Sequence, residues 1–350
     1  MVKKGMTPDQ FKQKIDPSPE YRALKVENES LKKRLSNYKI EHGTVERFFS
    51  EVLEAVSVIK PIARKYTPPK AKGTKHSTVL HLTDWHIGEV VDPSEIENFN
   101  SFNPEIARDR VIMLCEKIID WISLHRHNYV IDELVIIVTG DMIAGDIHME
   151  LMRTNAFPPP VQACEAGSLL AEAVAMLAPH YKKVRVEFIV PDNHSRLTQR
   201  VQFKEAGLNS YNYIVGFIAK EQLNKHKNIE FNLHTQVEKV VEVQGFRYLC
   251  FHGHQIKGWA GFPYYGIDRK AGKEARARMN RTRDKHFHKM LIGHYHAPLR
   301  HPDWLIGGSL SGTTEFDHAA GRDSSACQTA WLMHPKFGER EYNEFILTER

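Results

Sequence analysis

Thr78-Val79-Leu80-His81-Leu82-Thr83-Asp84-Trp85-His86 is a short apolar strand, Thr78 to Leu82, that runs into two metal-ligating residue types, Asp84 and His86. The same figure recurs four times downstream. Leu134 to Val138 leads into Gly140-Asp141, and Val184 to Val190 into Asp192-Asn193-His194. Phe246 to Phe251 leads into His252-Gly253-His254, and Lys289 to Ile292 into Gly293-His294-Tyr295-His296. In layered α/β folds ligands bind at the carboxyl ends of strands. A single histidine there is more often a hydrogen-bonded structural residue than a ligand. Five clusters at five strand ends point instead to a metal centre. Asp, Asn and His suit Mn, Fe, Zn or Mg rather than a thiolate-bound metal. Alternate residues of an extended chain point the same way, so Asp84 with His86, and His294 with His296, are expected to converge.

Helices are expected between these strands, from Ile106 to about Leu124 and from Ala163 to Leu177. Strand and helix in alternation predict a layered α/β domain. From Ile229 the expected strands crowd together: Ile229–Leu233, Lys239–Val243, Phe246–Phe251, Lys289–Ile292, Thr329–Met333 and Tyr342–Leu347. That spacing predicts a second, mixed sheet packed on the first. Upstream, residues 1–20 read as a flexible tail and 21–66 as a helical appendage. Tyr21, Leu24, Asn28, Leu31, Leu35 and Tyr38 fit a and d positions of a heptad, with Glu27 and Lys32 placed to pair across a parallel dimer. A homodimer through residues 21–38 is one expectation, and an amphipathic helix packed on its own domain is the other. Residues 67–77, with Thr67-Pro68-Pro69 and Gly73, read as a linker, and 78–350 as the catalytic domain.

Lys and Arg exceed Asp and Glu by 48 − 43 = 5, a mild basic balance that permits nucleic acid without requiring it. The four cysteines are far apart, which predicts reduced thiols in a cytoplasmic protein rather than a disulfide frame. No apolar run is expected to reach the roughly 18 to 20 residues of a membrane span, and the Lys-rich start lacks the features of a signal peptide.

The ordered set Asp-x-His, Gly-Asp, Asn-His, His-Gly-His and Gly-His-x-His resembles the calcineurin-like metallophosphoesterase superfamily, over roughly Thr78 to the C-terminus. The resemblance implies a four-layer αββα sandwich of two mixed sheets. It implies two divalent cations, Mn first, with Mg, Fe or Zn as alternatives. Asp84, His86, Asp141 and His296 would hold one, and Asp141, Asn193, His252 and His294 the other. His252 is preferred to His254, because the family ligand usually ends the strand. His194 would protonate the leaving oxygen. Such a pair of cations activates water and clamps phosphate oxygens during in-line attack. Trp85 and Tyr295 read as packing around the site.

This sequence departs from the family pattern. Asp192 stands where the family usually has Gly, and Ser195 where it has an acid. Ala144 occupies the place of an Asp that orients the catalytic His in protein Ser/Thr phosphatases, which argues against that activity. Asp146, His148 and Asp192 remain candidates for orienting His194. Arg196 is a candidate for substrate phosphate or for a surface ion pair, and His148 and His254 are further candidates for substrate contact.

Between two of the clusters lies a basic run containing Arg269, Lys270, Lys273, Arg276, Arg278, Arg281, Arg283 and Lys285. Trp259, Phe262, Tyr264 and Tyr265 are interleaved with it. Charge beside stacking surface suits nucleic acid, with Arg276, Arg278, Arg281 and Arg283 as backbone contacts. A solvated basic helix from Ala271 to about Arg283 would explain the same charges. Within the superfamily the chain looks most like SbcD-type DNA repair exonucleases and their viral and prophage relatives. That likeness implies a DNA substrate and, for a phage-encoded protein, the host cytoplasm, and it leaves an ATPase partner open. A small-molecule phosphatase, a cyclic-nucleotide phosphodiesterase and a catalytically silent scaffold are the alternatives.

Overall fold

The computed structural model describes residues 56–61, 73–257 and 262–348. The chain divides into two compact units, Met1–Val56 and Ser57–Arg350. Apart from Val56, every described residue belongs to the second. The expected tail, the coiled coil with its dimer through 21–38, most of the linker, and Trp259 lie outside the described residues.

Two sheets carry the second unit. In the first, the order is β11 (Gly338–Ile346), β10 (Cys327–His334), β1 (Lys75–Leu82), β2 (Val130–Val138), β3 (Lys183–Ile189) and β4 (Ile229–His234). Strands β1 to β4 are parallel, β10 runs antiparallel to β1, and β11 runs antiparallel to β10 at the edge. In the second, the order is β5 (Lys239–Val243), β6 (Phe246–Phe251), β7 (Lys289–Ile292), β9 (Trp304–Ile306) and β8 (Leu299–Arg300), with mixed pairing. The sheets share one core. Val79, Val135, Ile137 and Ile189 of the first meet Val241, Tyr248, Cys250, Leu291 and Leu305 of the second.

The helices are α1 (Pro104–His125), α2 (Met149–Thr154), α3 (Pro159–Leu177), α4 (Tyr211–Gln222), α5 (Tyr264–Arg278) and α6 (Glu315–Ala319). Asn103 starts α1 by accepting the Ile106 amide, and Pro104 occupies its first turn. Ala107, Val111, Leu114, Ile118 and Ile122 then recur at helical spacing and are buried. Helix α4 approaches the first sheet closely at Gly216, where an added Cβ would fall 3.3 Å from the Phe188 ring. On the outer face of the second sheet, Leu249, Phe251, Met290 and Ile292 pack with Ile267 of α5. With helices on both outer faces, the layers follow the expected αββα order.

Several expectations change. Strands β4, β10 and β11 belong to the first sheet, although their close spacing suggested the second. Their partners decide this: β4 pairs with β3 from Val184↔Ile229, and β10 with β1 from Ser77↔Met333. Strand β1 begins at Lys75, inside the expected linker, because Lys75 and His76 already pair with Val130 and Ile131. The basic helix spans Tyr264–Arg278 rather than Ala271 to Arg283.

The segment Pro159–His180 is long and apolar enough to cross a membrane, contrary to the expectation that no run is. Its side chains are two-thirds buried inside the protein. Gly167 of that segment lies against Val215 and Ile218 of α4, so the apolar stretch serves as a core helix. All four cysteines are free.

Candidate metal centre

The five clusters meet where parallel strands end. Pairing of β1 with β2 continues past the strands: the Asp84 amide donates to Gly140 O at 3.1 Å and the His86 amide to Asp141 O at 3.1 Å. Across the two sheets, the His294 amide donates to both Asp84 carboxylate oxygens, at 3.1 and 2.9 Å. Gly293 permits that approach. A Cβ there would lie 2.5 Å from Asp84 Oδ2.

The backbone at the ligands is not extended, as alternation along a strand would require. Asp84, His86, Asp141, His294 and His296 all have positive φ, between 47° and 72°. Three of the five clusters thus place their ligand residues in the left-handed region. This turning, rather than strand alternation, brings Asp84 to His86, whereas His294 and His296, expected to converge, fall in different groups.

Three overlapping groups result: Asp84, His86 and His296; His86, Asp141 and His194; and Asp141, His252 and His294. In each, the ligand atoms lie within 4.8 Å of one another. His86 Nε2 is 3.1 Å from His296 Nε2, and His252 Nε2 is 2.9 Å from Asp141 Oδ2. His252 Nε2 and Asp141 Oδ2 are nonetheless buried without a hydrogen-bond partner, as is Asn193 Oδ1. Close approach without bonding geometry is what donors aimed at a shared cation would show. The donor set of carboxylate, carboxamide and imidazole fits Mn, Mg, Fe or Zn. Asp84, His86, Asp141 and His296 would hold one ion, and Asp141, Asn193, His252 and His294 a second.

The rings are fixed from behind, as histidine ligands commonly are. His252 Nδ1 donates to Thr139 O at 2.8 Å, leaving Nε2 to face Asp141. His296 Nδ1 bonds Asp317 Oδ2 at 2.9 Å. His86 Nδ1 lies 3.5 Å from Glu89 Oε2, and both atoms are buried without a bonded partner. Burial pushes the Glu89 carboxyl up to about 8. Burial would also raise Asp141, but the imidazoles of His252 and His194 hold it well below the usual range. Burial lowers His252, and the Asp141 carboxylate more than reverses this, to about 9.

His194 lies at the rim. Its Nδ1 donates to the backbone carbonyl of Ala144 at 2.6 Å, and its amide donates to Asp141 Oδ1 at 3.1 Å. Neither Asp146 nor His148 fills the orienting role considered for it, and His148 is exposed. Asp192 works elsewhere, accepting from the Asp141 amide at 2.7 Å and from the Ser195 amide at 2.9 Å. Burial and the nearby Asp141 carboxylate push it up to about 7.

Arg196 is spent on the backbone carbonyls of Asn193, Thr198 and Gln199, so it organises its own loop rather than meeting phosphate. His254 stands behind His252, with ring centroids 5.6 Å apart, and burial lowers it to about 3. Arg276, Arg281 and Arg283 are exposed. Arg278 is not. It is 6% exposed, bonded to Glu238 at 2.8 Å and to Glu274, which withdraws it from any backbone-contacting surface. Trp85 is fully buried, and the Tyr295 hydroxyl donates to Ile256 O at 3.2 Å, so both act as packing around the centre.

Two residues were not foreseen. Asp317 carried a signal, because Thr314-x-x-Asp317 forms a capping box. Glu89 carried only its place three residues after His86.

No protein-family model and no curated protein matches the sequence. Among solved structures, the chain is similar to Vps29 of Entamoeba histolytica complexed with Zn, at 10% identity over 77% of this chain and 99% of that one, with TM-score 0.27. It is similar to a protein of Streptococcus pneumoniae described as a predicted phosphoesterase, at 12% identity over 51% and 90%, with TM-score 0.25. It is also similar to a protein of Staphylococcus aureus described as a 5′-nucleotidase, at 8% identity over 79% and 55%, with TM-score 0.29.

Proposed function

We propose that this chain is a metal-dependent phosphoesterase that cleaves nucleic acid, DNA in the first instance, with His194 as its general acid. One observation carries the reading. Three His/Asp groups overlap through His86 and Asp141, and the ligand atoms of Asp141, Asn193 and His252 are buried with no bonded partner. Two bound divalent cations would supply Lewis acidity and a water-derived nucleophile there.

The chain's own residues account for the remaining steps. Asp317 and the Thr139 carbonyl hold His296 and His252 in one tautomer. The Ala144 carbonyl holds the Nδ1 proton of His194, so Nε2 is the atom that passes a proton to the leaving oxygen. Burial lowers His194, and Asp141, 4.0 Å away, favours its charged form. The net effect is downward, so the ring gives its proton up readily once it is charged. Exposed Arg269, Lys273, Arg276, Arg281 and Arg283 lie on the segment between His252 and His294, which anchors a cationic surface to the centre at both ends.

The test combines metal analysis with hydrolysis. Purified protein loaded with Mn, Mg or Zn is given labelled single- and double-stranded DNA, RNA and a 4-nitrophenyl phosphodiester. Cleavage of DNA that weakens steeply with salt is expected. Hydrolysis of the small diester alone would return the small-molecule reading.

A further inference from the structure

Two exposed aromatic side chains flank the centre on the side of His296. Phe99 is 63% exposed and Phe316 is 68% exposed. We propose that Phe99, Phe316, His318 and Arg322 form a stacking platform for a nucleobase of the strand whose phosphate enters the metal centre. This rests on the nuclease reading above.

The platform is tied to the centre by buried bonds. Asp317, between Phe316 and His318, turns inward to His296 Nδ1 at 2.9 Å and to the Thr314 hydroxyl at 2.9 Å. Its neighbours in the short helix α6 therefore lie on the outside. Phe99 is held from its other side. The Asn100 carboxamide donates to Ser311 O and Thr313 O, both at 2.7 Å, and Arg110 bonds Asn100 Oδ1 at 2.8 Å. A ring exposed on a mobile loop would be unremarkable; here the residues beside both rings are locked to the segment that leads into α6.

The backbone at Phe99 supports the same conclusion. Glu97 and Asn98 have φ of 54° and 62°, so two non-glycine residues accept the left-handed region to make this turn. Such outliers gather where a side chain must be presented. The Phe99 and His318 rings lie 5.8 Å apart at 50°, and the Arg322 guanidinium sits 5.9 Å over the Phe316 ring.

The charges suit a base more than a phosphate run. Arg322 is the one cation over a ring here. Glu315 accepts the Asp92 amide at 2.8 Å, and Asp323 pairs with His318 at 3.2 Å. Unlike the exposed arginines after His252, this surface offers ring faces beside a single cation, Arg322, and the acids Glu315 and Asp323. Stacking is indifferent to sequence, because every base has a π face.

The test uses the full chain loaded with Mn. Single strands carrying bases, the same strands made abasic, and a strand with one 2-aminopurine are compared for wild type, Phe99→Ala/Phe316→Ala and Phe99→Trp/Phe316→Trp. Wild type should quench 2-aminopurine within the mixing phase, before turnover, and should prefer strands with bases. The alanine pair should lose the quench and raise KM on those strands by roughly 5- to 150-fold per stacked base. The tryptophan pair should keep both. An alanine pair that still quenches and still prefers bases overturns the platform and leaves the nuclease reading standing. A wild type that cleaves neither strand, while hydrolysing a 4-nitrophenyl phosphodiester, overturns the nuclease reading and the platform with it.

Discussion

His194 gives its Nδ1 proton to the main-chain oxygen of Ala144, 2.6 Å away. The residue type at 144 is therefore irrelevant to the contact, and only the path of the backbone matters. The ring is aimed with Nε2 toward the centre, at 4.0 Å from Asp141. If it is an acid, His194→Ala should keep its metal and still bind substrate, while turnover falls roughly 10² to 10⁴-fold. Esters with very good leaving groups should lose less. Loss of metal in that variant would make His194 a ligand, as its grouping with His86 and Asp141 also allows.

Asp141 is shared by two of the three groups. Asp141→Asn should lower metal content and abolish turnover while leaving the circular dichroism spectrum unchanged. The backbone at 141 is independently held by Asp192, whose carboxylate accepts its amide. Elemental analysis showing undiminished metal would remove the sharing role.

The arginines after His252 should separate into two kinds. Arg276→Gln/Arg281→Gln/Arg283→Gln should weaken duplex binding and make the slope of log K against log salt shallower, by up to roughly 0.9 per lost contact. Thermal stability should barely move. Arg278→Gln should instead lower stability by about 1–3 kcal/mol, because it leaves the partly buried Glu238 and Glu274 with Lys270 alone. Titrations of DNA affinity and urea melts on both proteins test the division. Equal melting of wild type and Arg278→Gln would refute it.

His81 predicts an acid sensitivity unrelated to catalysis. It is fully buried on β1, with Nε2 2.7 Å from the Thr139 hydroxyl and Nδ1 unpartnered. Burial pushes its pKa down to about 3, whereas an unfolded imidazole titrates near 6.5. Between those values the unfolded chain holds a proton that the folded chain lacks. Its contribution is complete above pH 6.5 and is lost as pH falls toward 3, at about 1.4 kcal/mol per unit. In urea melts between pH 7.5 and 5, His81→Gln should show a flatter dependence on pH than wild type. Parallel curves would count against it.

Gly293 sets the distance between the sheets at the site. Gly293→Ala would drive a methyl group against Thr83 and Asp84. Metal affinity should drop at least tenfold by isothermal titration, although the residues that bind metal are all still present. An unchanged isotherm would show that the strand ends can shift to accommodate it.

The sequence made the layered α/β class and the ligand set legible because both leave short, local marks: apolar runs of strand length, each stopped by Asp, Asn or His. What it hid was long-range. Strand β10 joins β1 across some 250 residues, and nothing within Cys327–His334 distinguishes that partner from β9. The ring-orienting roles of Glu89 and the Ala144 carbonyl were hidden for a related reason, and the capping box at Asp317 marked a helix start but not its bond to His296. Each acts on a ring, and a carbonyl oxygen is common to every residue. The positive φ of the ligand residues was equally silent, since Asp and His tolerate that region without requiring it.

Those five dihedrals have a bearing on heat tolerance. A non-glycine residue in the left-handed region costs on the order of 1 kcal/mol, and glycine avoids the cost. At Asp84, His86, Asp141, His294 and His296 the fold sustains this cost, offset in part where the Asp84 and Asp141 carboxylates accept the His294 and His194 amides. Glycine would remove the dihedral cost at these positions, and it would remove these bonds and the candidate centre with it. A glycine at any of the five would relieve its dihedral and remove a candidate ligand in the same step.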